Sequence, residues 1–487
     1  MTAGPVPEAP WQRLDPRMLL VHPITELVKF LPVLIGLVVA GGASGTGPWA
    51  LLGVGVPVGL GVVRYVTTTY RVTTARVELR RGLLQRHNLS TPLDRVRTVD
   101  LTASPIHRVL GLATLVIGTG SVVTDDDDRL LLDALPREQA AALRTHLLSV
   151  LHPVGEAGSD APAVLAPEHV VARFSPQWLW YAPFSGAVLV AAGAVLGAGA
   201  PLLESVDLRV SEDDLAIFSP AVILGLGLAV LLVTVALFVV GYLVVNGGFV
   251  LARQGAAWHV RRGLLTHRET SIDVARLAGA TISEPAALRL ARGRRVNAIV
   301  TGLRGSQESS TVLLPPAPQA TAIATTTAVL GSAEPVTGPL RSHGRKAATR
   351  RWTRALLGCS PVVVAVVVAV AAGAPPALLG LAVAAVAVAL ALAADRVRAL
   401  GHGHLAGHVV ARSGSVLRRR EALADAHVIG WNLRATWFQR RAGLATLAAT
   451  TAGGDGQVAV LDVPEPEAVA LALAATPGLL DDFLEPR

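Results

Sequence analysis

The chain has 487 residues, of which 52% are hydrophobic, 4% aromatic and 16% charged, and its formal net charge is +8. Soluble domains carry about 25% charged residues, and with a mean hydropathy of +0.51 this composition excludes a disordered chain and argues against a wholly soluble one. A single cysteine, Cys359, excludes an intramolecular disulfide framework and a cysteine-based zinc site.

Cys359 sits in an apolar run and reads as a small packing residue. Nearly all of the positive charge is arginine, with lysine only at Lys29 and Lys346. In so apolar a chain this points first to cytoplasmic loops facing anionic lipid, not to nucleic acid.

In chain order, residues 1–26 carry Pro5, Pro7, Pro10, Glu8 and Asp15 and no basic stretch leading into an apolar core. No cleavable signal is expected, and the segment reads as a cytoplasmic N-terminus. Residues 27–65 are two apolar runs, 27–43 and 49–65, holding Pro32 and Pro57 and predicting a short, kinked first hairpin. Residues 66–152 form a soluble module and 153–177 a linker. A second hairpin is predicted over 178–245, its runs 178–200 and 215–245 divided by the acidic loop 201–214. A second module covers 246–333 and a basic linker 334–354. A third hairpin over 355–394 (355–372 and 376–394) leads to a third module, 395–487. A spanning helix needs about 20 mostly apolar residues, so six spans are expected.

Charge sets the orientation. The turns 44–48 and 373–375 carry no charge and 201–214 is acidic, whereas 341–354 carries Arg341, Arg345, Lys346, Arg350, Arg351 and Arg354 and no acid. Positive charge stays inside. The turns are therefore expected outside, and the modules and both termini in the cytoplasm.

The modules repeat. Arg80-Arg81-Gly82-Leu83-Leu84, Arg261-Arg262-Gly263-Leu264-Leu265 and Arg412-Ser413-Gly414-Ser415-Val416 follow the three hairpins. Counting from each glycine, position 13 holds Arg95, Arg276 and His427, and position 26 holds Arg108, Arg289 and Arg440. Position 29 holds Gly111 and Gly443, each followed by Leu-Ala-Thr-Leu; the second copy has Arg292 there and is the most degenerate. Val77 and Leu79 alternate with charge, predicting a strand that enters a turn. Leu115-Val116-Ile117 and Leu130-Leu131-Leu132 flank the polar run 125–128 as a hairpin. Closing helices are predicted after Pro136, Pro318 and Pro464, with proline in the first turn. The expected fold class is an α+β membrane protein: three helical hairpins, each followed by a small β-barrel or sandwich capped by a helix.

This order, with Pro92-Leu93-Asp94-Arg95-Val96, Pro105-Ile106-His107-Arg108 and Leu110-Gly111-Leu112-Ala113, resembles the bacterial membrane PH-like domain family, the bPH2 or DUF304 type. Three tandem copies resemble its YdbT-like members. The resemblance implies two near-orthogonal antiparallel sheets capped by a C-terminal helix in each module, and it names architecture rather than chemistry.

Gly82, Gly263 and Gly414 are expected to serve tight turns with positive φ, and Gly111 and Gly443 close packing or a bulge. Candidate lipid or partner contacts are Arg95, Arg108, Arg276, Arg289 and Arg440, with Arg341, Arg345, Lys346, Arg350, Arg351 and Arg354; the competing reading of the module arginines is surface ion pairing. His402, His404 and His408 could face one side of a strand, but the other copies lack the cluster, and no metal or cofactor is expected. Gly225 and Gly227 read as helix-packing residues. No catalytic set recurs between copies. The sequence thus predicts a non-catalytic scaffold of the bacterial cytoplasmic membrane. Its expected partners are the bilayer, with its anionic lipids, and a membrane or cytoplasmic protein. The alternative is an accessory subunit of a transport, export or stress-resistance system.

Overall fold

The computed structural model describes residues 10–19, 62, 65–73, 76–81, 87–93, 98–118, 130–151, 168–184, 220–302 and 311–479. Almost all of the expected first hairpin, most of the run 178–200, the acidic loop 201–214, the polar run 125–128, Gly82 and Arg95 lie outside these residues. Two compact units divide the chain: residues 1–169 with 248–274, and residues 170–247 with 275–487.

In the first unit, β1 (Gln12–Arg13), β2 (Thr69–Val72), β3 (Arg76–Arg81) and β4 (His87–Pro92) form an antiparallel sheet in that order. The alternation expected around Val77 and Leu79 is realised in β3, where both are fully buried between charged neighbours. β5 (Thr98–Ala103), α1 (Pro105–Val109), β6 (Leu112–Gly118), β7 (Leu130–Pro136) and α2 (Arg137–Leu151) follow. β8 (His169–Arg173) straddles the division between units. The unit is completed by β9 (Val250–Gln254), β10 (Ala257–Arg262) and β11 (His267–Asp273). Val77, Leu79, Val99, Leu115, Leu132 and Leu147 share one core with Leu14 and Met18, which precede the expected first hairpin in sequence.

Three-strand half-modules join across the repeat boundary. Within the first unit one sheet runs β7-β6-β5-β11-β10-β9, so β5 of the first module pairs antiparallel with β11 of the second. The modules are therefore not the self-contained bodies that their sequence boundaries suggest. Each strand edge carries unpaired N–H and C=O groups, and the next copy satisfies them.

The second unit repeats this arrangement. The turn Pro176–Tyr181 holds Trp178 buried, so the residues expected to open a span begin inside the soluble part. α3 (Pro220–Asn246) is followed, within this unit, by β12 (Leu277–Pro285), α4 (Ala286–Leu290), β13 (Gly293–Val300), β14 (Val312–Pro318), α5 (Gln319–Leu330) and α6 (Glu334–Thr337). A helical hairpin comes next: α7 (Gly344–Ala371), a short turn, and α8 (Leu379–Ala399). The last module contains β15 (Gly401–Leu405), β16 (His408–Ser413), β17 (Leu417–Ala424), β18 (Gly430–Arg434), α9 (Trp437–Ala442), β19 (Leu444–Thr450), β20 (Gln457–Pro464) and α10 (Glu465–Ala475). One sheet runs β14-β13-β12-β17-β16-β15 and another β18-β19-β20. Leu447, Val460, Val463, Leu471 and Val409 form its core.

Pro136, Pro318 and Pro464 end their strands one residue before the helices begin, rather than lying in the first turn. The site suits proline because the helix takes no N–H from the residue that caps it. Residues 344–354, read from sequence as a linker, are the first three turns of α7. Alanine and arginine are strong helix formers, and the apolar run beyond them lets the helix propagate.

Three described helical segments, Gly227–Asn246, Gly344–Ala371 and Pro376–Ala399, are long and apolar enough to cross a membrane. Leu228, Leu237, Val364 and Val383 on them are exposed. The other three expected spans fall mostly or wholly outside the described residues. Gly225 and Gly227 have nothing within 4 Å, and the helix expected to pack on them lies among the residues not described.

Candidate functional site

Recurrent residues first serve the backbone. Gly263 and Gly414 follow β10 and β16 with φ of +99° and +101°, a region costly for residues with a Cβ. Gly111 and Gly443 stand at the ends of α1 and α9 with φ of +70° and +64°. A Cβ there would make only ordinary contacts, 3.9 Å from Arg17 and 3.8 Å from Lys346. Their role is the left-handed helix stop, not the close packing or bulge expected from sequence. Arg292 adopts the same conformation, φ +60°, in the second module.

The arginines at position 26 make a recurrent contact. Arg108 donates to the carbonyl of Leu264 at 3.1 Å, and Arg289 to that of Ser415 at 3.3 Å. Each acceptor is the residue just after the turn glycine of the following copy. Arg289 also pairs with Asp395 near the end of α8 at 2.9 Å, and Arg418 reaches the other oxygen at 2.6 Å. Arg440 is exposed and makes no side-chain hydrogen bond or ion pair among the described residues. Arg276 lies at the end of a short turn where its carbonyl accepts from the Thr301 N–H.

In the first unit Arg108 lines a cleft of about 340 Å³ with Arg137, Arg261, Arg262, Arg268 and Glu269. Burial, reinforced by Arg268, pushes Arg262 down to about 10. Arg261 is held by Glu168 at 2.8 Å and Glu269 at 3.2 Å, and Arg268 by Asp100 at 3.3 Å. Arg137 is exposed and makes no side-chain hydrogen bond or ion pair among the described residues. Behind the cleft, Arg144 of α2 donates to His259 at 2.9 Å and Ser271 at 2.6 Å and pairs with Glu269 at 2.8 Å. The closing helix of one module thereby grips the first sheet of the next. Burial, with Arg144 next in weight, lowers His259 to about 4.

In the second unit the basic residues of 341–354 divide into three groups. Arg350 and Arg351 converge on the buried Asp462 at 2.9 and 2.7 Å, and Gln439 donates to it at 2.8 Å. These arginines fasten α7 to the last module. Arg341 pairs through its backbone with His402. Arg345, Lys346 and Arg354 remain exposed and make no side-chain hydrogen bond or ion pair among the described residues. Lys346 and Arg354 line a recess of about 550 Å³ with Arg350, Leu357, Thr436 and Phe438. Trp437 and Phe438 are 54% and 69% exposed, two large aromatic side chains left open at the surface. Arg345 and Lys346 occupy the first turn of α7, which has no acidic residue. Cations there oppose the helix dipole by about 0.3–1 kcal/mol each, so an external anion would relieve them.

The histidines do not converge. His404 pairs with Asp425 at 2.6 Å, His408 bonds the Ala406 carbonyl at 2.8 Å, and buried His402 packs on His343 with ring centres 4.9 Å apart. Burial lowers His402 to about 4. Among the described residues, no three His, Cys, Asp or Glu side chains are grouped to hold a metal ion.

Residues 25–150 and 360–476 match the bacterial PH domain family. The chain belongs to the bacterial PH domain family. The second match begins within α7 and runs through α8 and the last module. No curated protein and no solved structure matches the chain.

Sequence reasoning missed the part that residues 10–19 play in the first module. Trp11 lies under Arg80 at 3.8 Å, Arg17 donates to the Leu110 carbonyl at 3.0 Å, and Leu14 and Met18 enter the first core. Their signal was the apolar spacing of Trp11, Leu14 and Met18 among prolines. It also missed Asp395, which lies just past the apolar run at 376–394.

Proposed function

We propose that the protein is a non-catalytic, multi-pass scaffold of the bacterial cytoplasmic membrane, whose PH domains lie on the cytoplasmic side and touch anionic headgroups at the base of the α7–α8 hairpin. The observation that carries this reading is the trio Arg345, Lys346 and Arg354. These are exposed cations, without an ion-pair partner among the described residues, on the first turns of a span-length helix, beside exposed Trp437 and Phe438. Arg396 and Arg398 end α8 at the same end of the hairpin, whereas the turn at 372–375 carries no charge, the asymmetry of a cytoplasmic base. Each basic residue near an anionic leaflet contributes about 1 kcal/mol. Residues 178–330 are read as a third, divergent copy. β9 to β14 and α5 repeat the element order of the matched domains, and Arg289 repeats the contact of Arg108.

The test is lipid retention. Purified wild-type protein in mild detergent is examined by native mass spectrometry beside a Lys346→Glu/Arg354→Glu variant. The wild type should retain phosphatidylglycerol in preference to phosphatidylethanolamine, and the variant should lose that preference. Equal retention of both lipids by the wild type contradicts the reading.

A further inference from the structure

We propose that the chain assembles head to tail with further copies of itself, β18 of one copy pairing antiparallel with β4 of the next. This rests on strand registers and not on the lipid reading.

The chain makes this junction twice within itself, in one register. Ile272, nine residues past Gly263, opposes Thr98, sixteen past Gly82. Leu423, nine past Gly414, opposes Gly279, sixteen past Gly263. In each case the third strand of one copy meets the fourth strand of the copy before it, with identical offsets. The pattern leaves one strand of each kind over. β4, the third strand of the first copy, and β18, the fourth strand of the last, are both terminal in their sheets among the described residues. The same register would set Gly430 against Thr91 and Leu433 against Asn88.

Two side chains at the β18 end behave as if a neighbour were missing. Leu433 occupies the position of Ile282, which is 3% exposed where β17 covers it; Leu433 is 44% exposed. Arg440 occupies the position of Arg108 and Arg289, which both reach the following copy, yet it makes no side-chain hydrogen bond or ion pair among the described residues. The remedy for an open strand edge in this fold is the next copy of the fold, and a second chain supplies it through β4. Such a contact is heterologous, so it builds rings or filaments rather than a two-fold dimer.

The test uses two full-length chains in a Cys359→Ala background, one carrying Leu433→Cys and the other Asn88→Cys. Both positions are exposed, and each protein is first checked for an unchanged thermal melt. The two are co-expressed with different tags and oxidised in the membrane. A disulfide-linked heterodimer is expected, absent when either variant is expressed alone, and weakened when Ser90→Cys replaces Asn88→Cys and shifts the register by two. Arg440→Ala added to the Leu433→Cys chain should lower the yield. No heterodimer, or a cross-link formed only within a chain carrying both cysteines, overturns the proposal. Because the readout is a cross-link and not lipid retention, its failure leaves the lipid reading standing.

Discussion

At the residue scale, Asp395 concentrates the most consequence in one carboxylate. It holds Arg289 and Arg418, which are 29% and 17% exposed, at the boundary between the second and third copies. Asp395→Ala leaves two partly buried guanidinium groups without their anion and should cost about 1–3 kcal/mol, read as a lowered Tm in detergent. Arg292 makes the opposite prediction. It stands in the left-handed region where the other copies have glycine, so Arg292→Gly should stabilise the protein by about 1 kcal/mol. Glu421 in β17 supplies a pH dependence. Burial raises it from 4.5 to about 7, against an opposing pull from Arg419. Between those pH values the folded state binds the proton more tightly, so stability falls as pH rises. His259 and His402, lowered to about 4, act in the other direction, their contribution being complete above pH 6.5 and lost as pH falls. The Glu421 effect is therefore read as a difference: the Tm of Glu421→Gln minus that of wild type should grow from pH 5 to pH 7.5. A flat difference contradicts the burial argument.

At the scale of elements, α7 combines two tasks in conflict. Its first turn carries Arg345 and Lys346 with no acid, which weakens the helix, while its body is a span. Arg345→Glu should raise the Tm slightly in detergent, by about 0.3–1 kcal/mol of local stability, and at the same time reduce phosphatidylglycerol retention. A loss of both would mean that Arg345 is structural. Strands and closing helices were legible in the sequence because their signals are local: the alternation at Val77 and Leu79, and prolines ahead of the helices. The helical state of 344–354 was not, because Gly344 and the nearby Ser342 suggested a linker and the propagating apolar run lay downstream.

At the scale of the whole molecule, the recurring residue pattern pointed to PH-like units, which the family match bears out over residues 25–150 and 360–476, and the composition pointed to apolar helices, of which three described segments are long and apolar enough to cross a membrane. The joining of sheets between copies had no signature in the sequence, since strand pairing between distant segments is set by tertiary contacts. Even so, the position-26 arginines were singled out before their acceptors were known. They turned out to be junction residues in two copies, and of the other lipid-contact candidates Arg350 and Arg351 were claimed by Asp462. Gly279 tests the junction itself: a Cβ there would collide with the Ala422 carbonyl, so Gly279→Ala should destabilise the second unit far more than alanine at an exposed glycine such as Gly380.

The proposed topology puts the PH domains on the cytoplasmic side of a membrane crossed by the α7–α8 hairpin. In a Cys359→Ala background, single cysteines at Ala374, in the uncharged turn, and at Asp455, on an exposed loop of the last domain, are exposed to a membrane-impermeant maleimide in intact cells. The account predicts that Ala374→Cys reacts at once and Asp455→Cys only after permeabilisation. Immediate labelling of Asp455→Cys with protection of Ala374→Cys would contradict it.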